Sequence, residues 1–483
     1  MASARNPYLF LLLALAICAG PTRSQTEADF QGRWEGTLAG KLRLVVELQR
    51  ATDGLWFGRL TSVDQGNVSF ALDDIRVDEG AISFAVREVR GAYEGKFDDA
   101  RNVLTGTWVQ GMPQPLQLRK GASSSANAPP PAASSAPPQA WPFGMPIVID
   151  VPVPPTAVPG GGRSHLAYEL HVTNFSGAPI ELRRLEAWDA DGPASSQPLL
   201  RLEGNALISA LQPVGVRAPP GVADLRNLTG GSRVVAYVWV SLDAAASLPR
   251  RLRHRIATSA REFDAGTIAL RAVKPPSLGP PLKGSGWVAG NGPDNASGHR
   301  RALIPVDGRA TIAQRFAIDW VKIGPDGRTF RGKAQENRSY HAYGSELLAV
   351  ADGEIVAVHD GIPENVPGPE SRAVPITLET VAGNYVMLAL GDDQFAVYAH
   401  LQPGTLRVKA GDVVKRGQVL GLLGNSGNST EPHLHFHVCN GPTALTSEGI
   451  PYVHDAFDLY DSSGKSVPKR RELPLLNAVV GFE

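Results

Sequence analysis

Cysteine is almost missing from this chain: Cys18 and Cys439 are the only two in 483 residues. Cys18 lies in the amino-terminal apolar run, so cleavage of that run leaves Cys439 alone and excludes an intrachain disulfide. Each domain must then be held by its own apolar core or by a metal. Excess charge is missing too, because 47 Lys and Arg balance 47 Asp and Glu. No net field draws the chain to a polyanion, and a nucleic-acid partner is not expected. Long apolar runs are also absent. The best, Tyr8 to Ala19 (YLFLLLALAICA), falls short of the roughly 20 residues that span a bilayer core.

Arg5, that apolar run, and the small and polar residues through Ser24 follow the order of a signal peptide, over residues 1–24. The mature chain is therefore expected to be exported, periplasmic or extracellular, with no transmembrane segment after signal removal. Lipidation at Cys18 is the lesser reading, since Ile17 is bulky where lipoprotein signals place Gly or Ala.

A chain of 483 residues exceeds one ordinary core and predicts two to three domains. Residues 30–120 alternate apolar and polar positions between turn signals such as Asp53-Gly54, which predicts a small antiparallel barrel. Trp34 and Trp108, each near a glycine, read as apolar plugs of that barrel rather than as the wall of a ligand cup. Residues 121–142 are nearly all Pro, Ala and Ser, the composition of an extended linker. Between 143 and 280, runs such as Leu166–Val172 and Val234–Val240 predict a β-sandwich-like domain. Its His165, His171 and His254 lack companions at ligand spacing and read as ordinary histidines. The prolines between Pro275 and Lys283 mark a further boundary, followed by a third, β-rich domain over 287–475. The fold class is mainly β.

The densest chemical signal is Glu431-Pro432-His433-Leu434-His435-Phe436-His437-Val438. In a strand, His433, His435 and His437 share one face while Leu434, Phe436 and Val438 share the other. Histidines at i and i+2 can hold a metal, or one can bind while its neighbour moves a proton. Upstream lie His400, within Val397–Leu401, and a Gly/Asn/Ser stretch from Gly421 to Ser429 that can turn tightly.

The segments ELLAVADGEIVAV (from Glu346), GNYVMLAL (from Gly383), VYAHL (from Val397), VKAGDVVKRGQVLGLLGNSGNS (from Val408) and EPHLHFHV (from Glu431) occur in one order. In that order, with RFAIDW before them, they resemble the successive motifs of the lysostaphin-like zinc metallopeptidases, from Arg315 to Val438. The resemblance implies a zinc held by the His and Asp of H-x-x-x-D and by the second His of H-x-H, with the fourth position open. It places Asp319 and His435 as zinc ligands, and His400 and His433 as the histidines that handle the proton and stabilise the oxyanion. It also implies a metalloendopeptidase whose substrate is a peptide or peptidoglycan.

Arg315 departs from the pattern. It stands where the first ligand histidine belongs, and a guanidinium has no lone pair to give a metal. Three readings stay open. Another histidine, His437, His299 or His341, completes the shell; the metal binds weakly; or the domain is catalytically degenerate and serves as a peptide- or partner-binding module. Arg315 itself reads as a partner of Asp319, a contact for an anionic ligand, or a surface ion pair. Cys439 reads as a buried structural thiol rather than a ligand.

Overall fold

The computed structural model describes residues 30–121, apart from 52–53, 65–67, 79, 99–100 and 111, and residues 144–483, apart from 194–195 and 215–224. The signal peptide expected at 1–24 and linker residues 122–142 lie outside the described residues.

The first region is a nine-stranded antiparallel meander, running from Gly32–Leu38 to Met112–Lys120. Its first strand also pairs with its last, Trp34 opposite Lys120, and the sheet is nearly a closed barrel. Both tryptophans fill the interior. Trp34 is fully buried, donates from Nε1 to the Phe30 carbonyl at 2.9 Å, and meets Phe97 edge-on. Trp108 lies over Gly91, where an added Cβ would sit 2.1 Å from the ring.

The middle region is a sandwich of two antiparallel sheets, as its short β-type runs predict. One is built on β1 (Arg163–Asn174) and β2 (Arg233–Asp243), paired over eleven positions. Leu166, Tyr168, Leu170 and Val172 of β1, with Val234, Ala236, Val238 and Val240 of β2, form the sandwich core against Leu182, Leu185 and Ile256 of the second sheet. Alternate side chains must then face outward. Outward residues Ala167 and Trp239 pack into the core of the third region, and Glu169 is buried on the same face. Both faces of β1 are covered, which explains why it is buried without a break from His165 to Asn174.

The third region is organised around an eleven-stranded sheet. Its central run is β3 (Gly284–Gly290), β4 (Ile318–Lys322), β7 (Leu434–Cys439), β6 (Gln394–Leu401) and β5 (Asn384–Gly391), in that spatial order. The sheet reaches back to Ser277–Leu278 and closes with Val479–Phe482 against β3. Among the described residues no helix is long and apolar enough to cross a membrane.

Candidate metal centre

Register brings the sheet-borne part of the site together. Asp319 on β4 stands opposite His435 on β7, and His435 stands opposite Ala399 on β6. Leu434, Phe436 and Val438 lie in the core with no exposed surface. Each contributes roughly 1.5–3 kcal/mol on burial. A one-residue slip would drive the histidines into the core instead, so apolar packing fixes which face carries His433, His435 and His437.

His400 follows Ala399, and in a regular strand it would point away from His435. Its φ of 68° breaks the alternation. The ring instead lies 4.8 Å from that of His433 and 5.8 Å from that of His435, centroid to centroid. A left-handed conformation at a residue with a Cβ costs on the order of 1–3 kcal/mol and persists only where the surroundings impose it. Here the His400 amide donates to the Ala382 carbonyl at 3.0 Å, and its carbonyl accepts from Gly424 at 3.1 Å.

The structure gathers Asp319, His435, His433 and His400, the four residues singled out from the sequence. It adds His299 and leaves out His437 and His341 as direct neighbours of the carboxylate. His299 Nε2 lies 3.3 Å from Asp319 Oδ2, and His435 Nδ1 lies 2.9 Å from Asp319 Oδ1. One donor atom each from His299, Asp319 and His435 all fall within 4.8 Å of one another. His433 Nε2 approaches Asp319 Oδ1 at 3.3 Å.

Tautomers follow from the acceptors around the rings. His299 Nδ1 faces the Asn291 carbonyl at 3.0 Å, which can only accept, so the proton sits on Nδ1 and the Nε2 lone pair points at the site. On the other side, His437 Nε2 faces the Ala444 carbonyl at 3.1 Å and must donate to it. Burial, with His435 and His299 close by, holds His437 well below the usual imidazole range, so it is neutral and its Nδ1 accepts. His435 Nε2, 3.0 Å from that Nδ1, donates, which leaves the Nδ1 lone pair of His435 facing Asp319. His437 thus sets the tautomer of its neighbour.

Burial pushes the His299 pKa down to about 4, so its ring is neutral at pH 7. Burial alone would raise Asp319, but the surrounding imidazoles, His433 among them with its raised pKa, hold it well below the carboxylate range. An anionic oxygen and two neutral imidazole lone pairs converge. That donor set fits zinc, whose ligands at about 2.0–2.2 Å stand roughly 3.4 Å apart in a tetrahedron.

Arg315 contacts neither Asp319 nor solvent. It is buried, with Nη2 2.9 Å from Glu169 and 2.8 Å from Glu448, and Nη1 donating to the Gly449 carbonyl at 2.8 Å. The pairing with Asp319 and the surface ion pair weighed from the sequence are therefore both replaced, because the neighbouring domain supplies the carboxylate. Cys439 is a fully buried thiol against Met387 and Val397, its pKa raised to about 11 by burial. The loop before β7 approaches the residues before β5 so closely that an added Cβ on Gly427 would lie 2.3 Å from the Gly383 nitrogen.

An Asp–His pair on adjacent strands and a loop histidine thus form a candidate metal site, with two further histidines beside it. Residues 339–446 match the model of Peptidase family M23, and the carboxy-terminal part of the chain accordingly carries a lysostaphin-like M23 domain. An uncharacterized metalloprotease of Haemophilus influenzae is 51% identical over 59 residues, 12% of this chain and 12% of that protein. The peptidoglycan DD-endopeptidase ShyA of Vibrio cholerae is 46% identical over 94 residues, 19% of this chain and 21% of that protein. The chain thus spans about a fifth or less of the length of these two curated relatives. The catalytic domain of the antimicrobial peptidase lysostaphin from Staphylococcus simulans is similar at 27% identity and a TM-score of 0.16, covering 26% of this chain and 86% of that one. His400, His433 and His435 lie inside the stretch that matches the family model; Asp319 and His299 precede it.

Proposed function

We propose that this chain is an exported zinc metalloendopeptidase that hydrolyses peptide bonds of cell-wall peptidoglycan or of another extracytoplasmic peptide. In this reading His299, Asp319 and His435 hold the metal, and His400 and His433 act on the reacting atoms. The observation that carries it is the convergence of the His299 Nε2 and His435 Nδ1 lone pairs on the ionised Asp319 carboxylate. His299 occupies the role left vacant at position 315, which favours an enzyme over a degenerate binding module.

Zinc held there supplies Lewis acidity that lets water attack a peptide carbonyl at neutral pH. His400 donates from Nδ1 to the Ser426 carbonyl at 2.8 Å, which leaves Nε2 to take the proton of the attacking water. His433 donates from Nδ1 to the Glu431 carbonyl at 2.8 Å; burial lowers its pKa but Asp319 outweighs that and raises it, and in the imidazolium form Nε2 also carries a proton that it can donate to the oxyanion.

The test is zinc content and cleavage of purified cell wall by the full chain and by His299→Ala. One zinc per wild-type chain, lost together with cleavage in the variant, is the expected result. No zinc uptake and no cleavage, with wall fragments still bound, would establish the binding module instead.

A further inference from the structure

We infer that the middle domain is a working part of the metal centre, with Glu169 as a positioning residue that holds the loop carrying His299. This rests on the zinc reading above and goes beyond it.

His299 belongs to the stretch 291–303, which has no regular secondary structure. The stretch meets the third region through Asn291 Nδ2, which donates to Asp319 Oδ2 at 3.2 Å, and through the Pro293 carbonyl, which accepts from the Leu476 amide at 3.3 Å. Its further anchors, closer to His299 in the chain, come from the sandwich. Asn295 Nδ2 donates to the Tyr237 carbonyl at 2.8 Å, and Gln212 Nε2 donates to the Arg301 carbonyl at 3.1 Å. Arg301 donates to the Ser209 carbonyl, and its guanidinium lies 4.9 Å from the Tyr237 ring centroid.

The strongest anchor is the residue beside His299. Arg300 is fully buried and donates from Nη1 to Glu169 at 2.6 Å and from Nη2 to the Tyr168 and Val238 carbonyls at 3.0 Å. Neighbouring side chains therefore reach opposite ways: His299 to the metal site, Arg300 into the sandwich. Glu169 also binds Arg315, so one carboxylate ties down both the segment that lost a ligand and the loop that replaces it. Burial would raise the Glu169 pKa, but Arg315 and Arg300 lower it below the usual range, and the group is ionised. Removing that anion takes the carboxylate from buried Arg300, whereas Arg315 keeps Glu448 at 2.8 Å, and breaking a buried pair is strongly destabilising. Arg300 would have to leave to find water, taking the backbone of His299 with it.

The experiment measures zinc affinity of the full chain by competition with a chromophoric chelator, and the cobalt(II) absorption spectrum as a report on coordination. Glu169→Gln is expected to bind zinc 10- to 100-fold more weakly, the usual effect of losing an outer support of a ligand. Its cobalt spectrum is expected to change toward that of His299→Ala. Glu448→Gln, which removes the other carboxylate on Arg315 without touching Arg300, is expected to stay within about threefold of wild type, the scale of a dispensable pair. Should Glu169→Gln fail to fold, the charge-balanced pair Glu169→Gln with Arg315→Gln takes its place and should show the same loss.

Wild-type zinc affinity in the position-169 variant that folds overturns the inference and leaves the zinc reading standing. An equal loss in Glu448→Gln also overturns it, because the effect would then belong to the domain contact at large. So would a loss at position 169 while His299→Ala binds normally. A wild-type chain that takes up no zinc is a different failure, that of the zinc reading.

Discussion

The two halves of the candidate metal centre are held by different physics. Asp319 and His435 face each other across paired strands of one sheet, and a fully buried apolar face locks their register. His299 sits on an irregular stretch whose buried, charged anchor, Arg300, runs to the neighbouring domain. A ligand on a strand is fixed by many weak contacts that no single substitution removes, whereas a ligand on a loop depends on a few strong ones. The loop half can thus change in evolution or by mutation while the sheet half stays. An arginine at position 315, with a loop histidine at position 299 beside Asp319, fits that pattern.

The largest expected effect comes from breaking the sheet half. His435→Ala should abolish zinc binding and lower cleavage by about a thousandfold or more, the scale of several kcal/mol of lost electrostatic stabilisation. His299→Ala should do the same if the halves are equal partners. Residual zinc-dependent cleavage in His299→Ala but not in His435→Ala would make the loop half subordinate, and steady-state rates measured with added zinc would show it.

Acid is the next lever, and it reaches the loop half through the domain that supports it. His254 is buried in the sandwich, its Nε2 2.8 Å from the Tyr168 hydroxyl, and the Tyr168 carbonyl in turn accepts from Arg300. Burial lowers the His254 pKa to about 4. The unfolded chain binds this proton more readily than the folded one, so the stabilisation is present above pH about 6.5 and is lost as pH falls toward 4. The loss should reach roughly 2–3 kcal/mol, read as a falling unfolding temperature of the sandwich between pH 7 and 4. His254→Gln should flatten that part of the profile; an unchanged slope would remove His254 from the account.

A smaller effect tests how the sheet half is finished. His437→Leu removes the acceptor for His435 Nε2–H and should weaken zinc binding 10- to 100-fold. His437→Gln, whose amide oxygen can still accept, should recover part of it. Equal affinities in the two variants would mean that strand packing alone orients His435.

Much of the site was legible because a strand has a period of two. Three alternating histidines against Leu434, Phe436 and Val438 leave few alternatives once the face is apolar, and Asp319 followed from its place in the motif order. His400 was legible as a residue but not as a geometry, since its positive φ depends on bonds to Ala382 and Gly424. His299 was visible only as one of three candidate histidines for the shell. It stands in a Gly- and Asn-rich loop with no periodicity, and nothing local separates it from His341. The role of Glu169 left no trace, for its partner Arg315 lies 146 residues away.

The sequence by itself determined the mainly β architecture, the Trp-filled barrel, the histidine-bearing strand and the loss of a ligand at position 315, because each depends on local period or on a side chain's own chemistry. Only the tertiary structure decided which further histidine lies beside Asp319 and what Arg315 contacts. Both outcomes rest on a buried carboxylate from another domain, and the pairing of buried charges is settled by who meets whom in space.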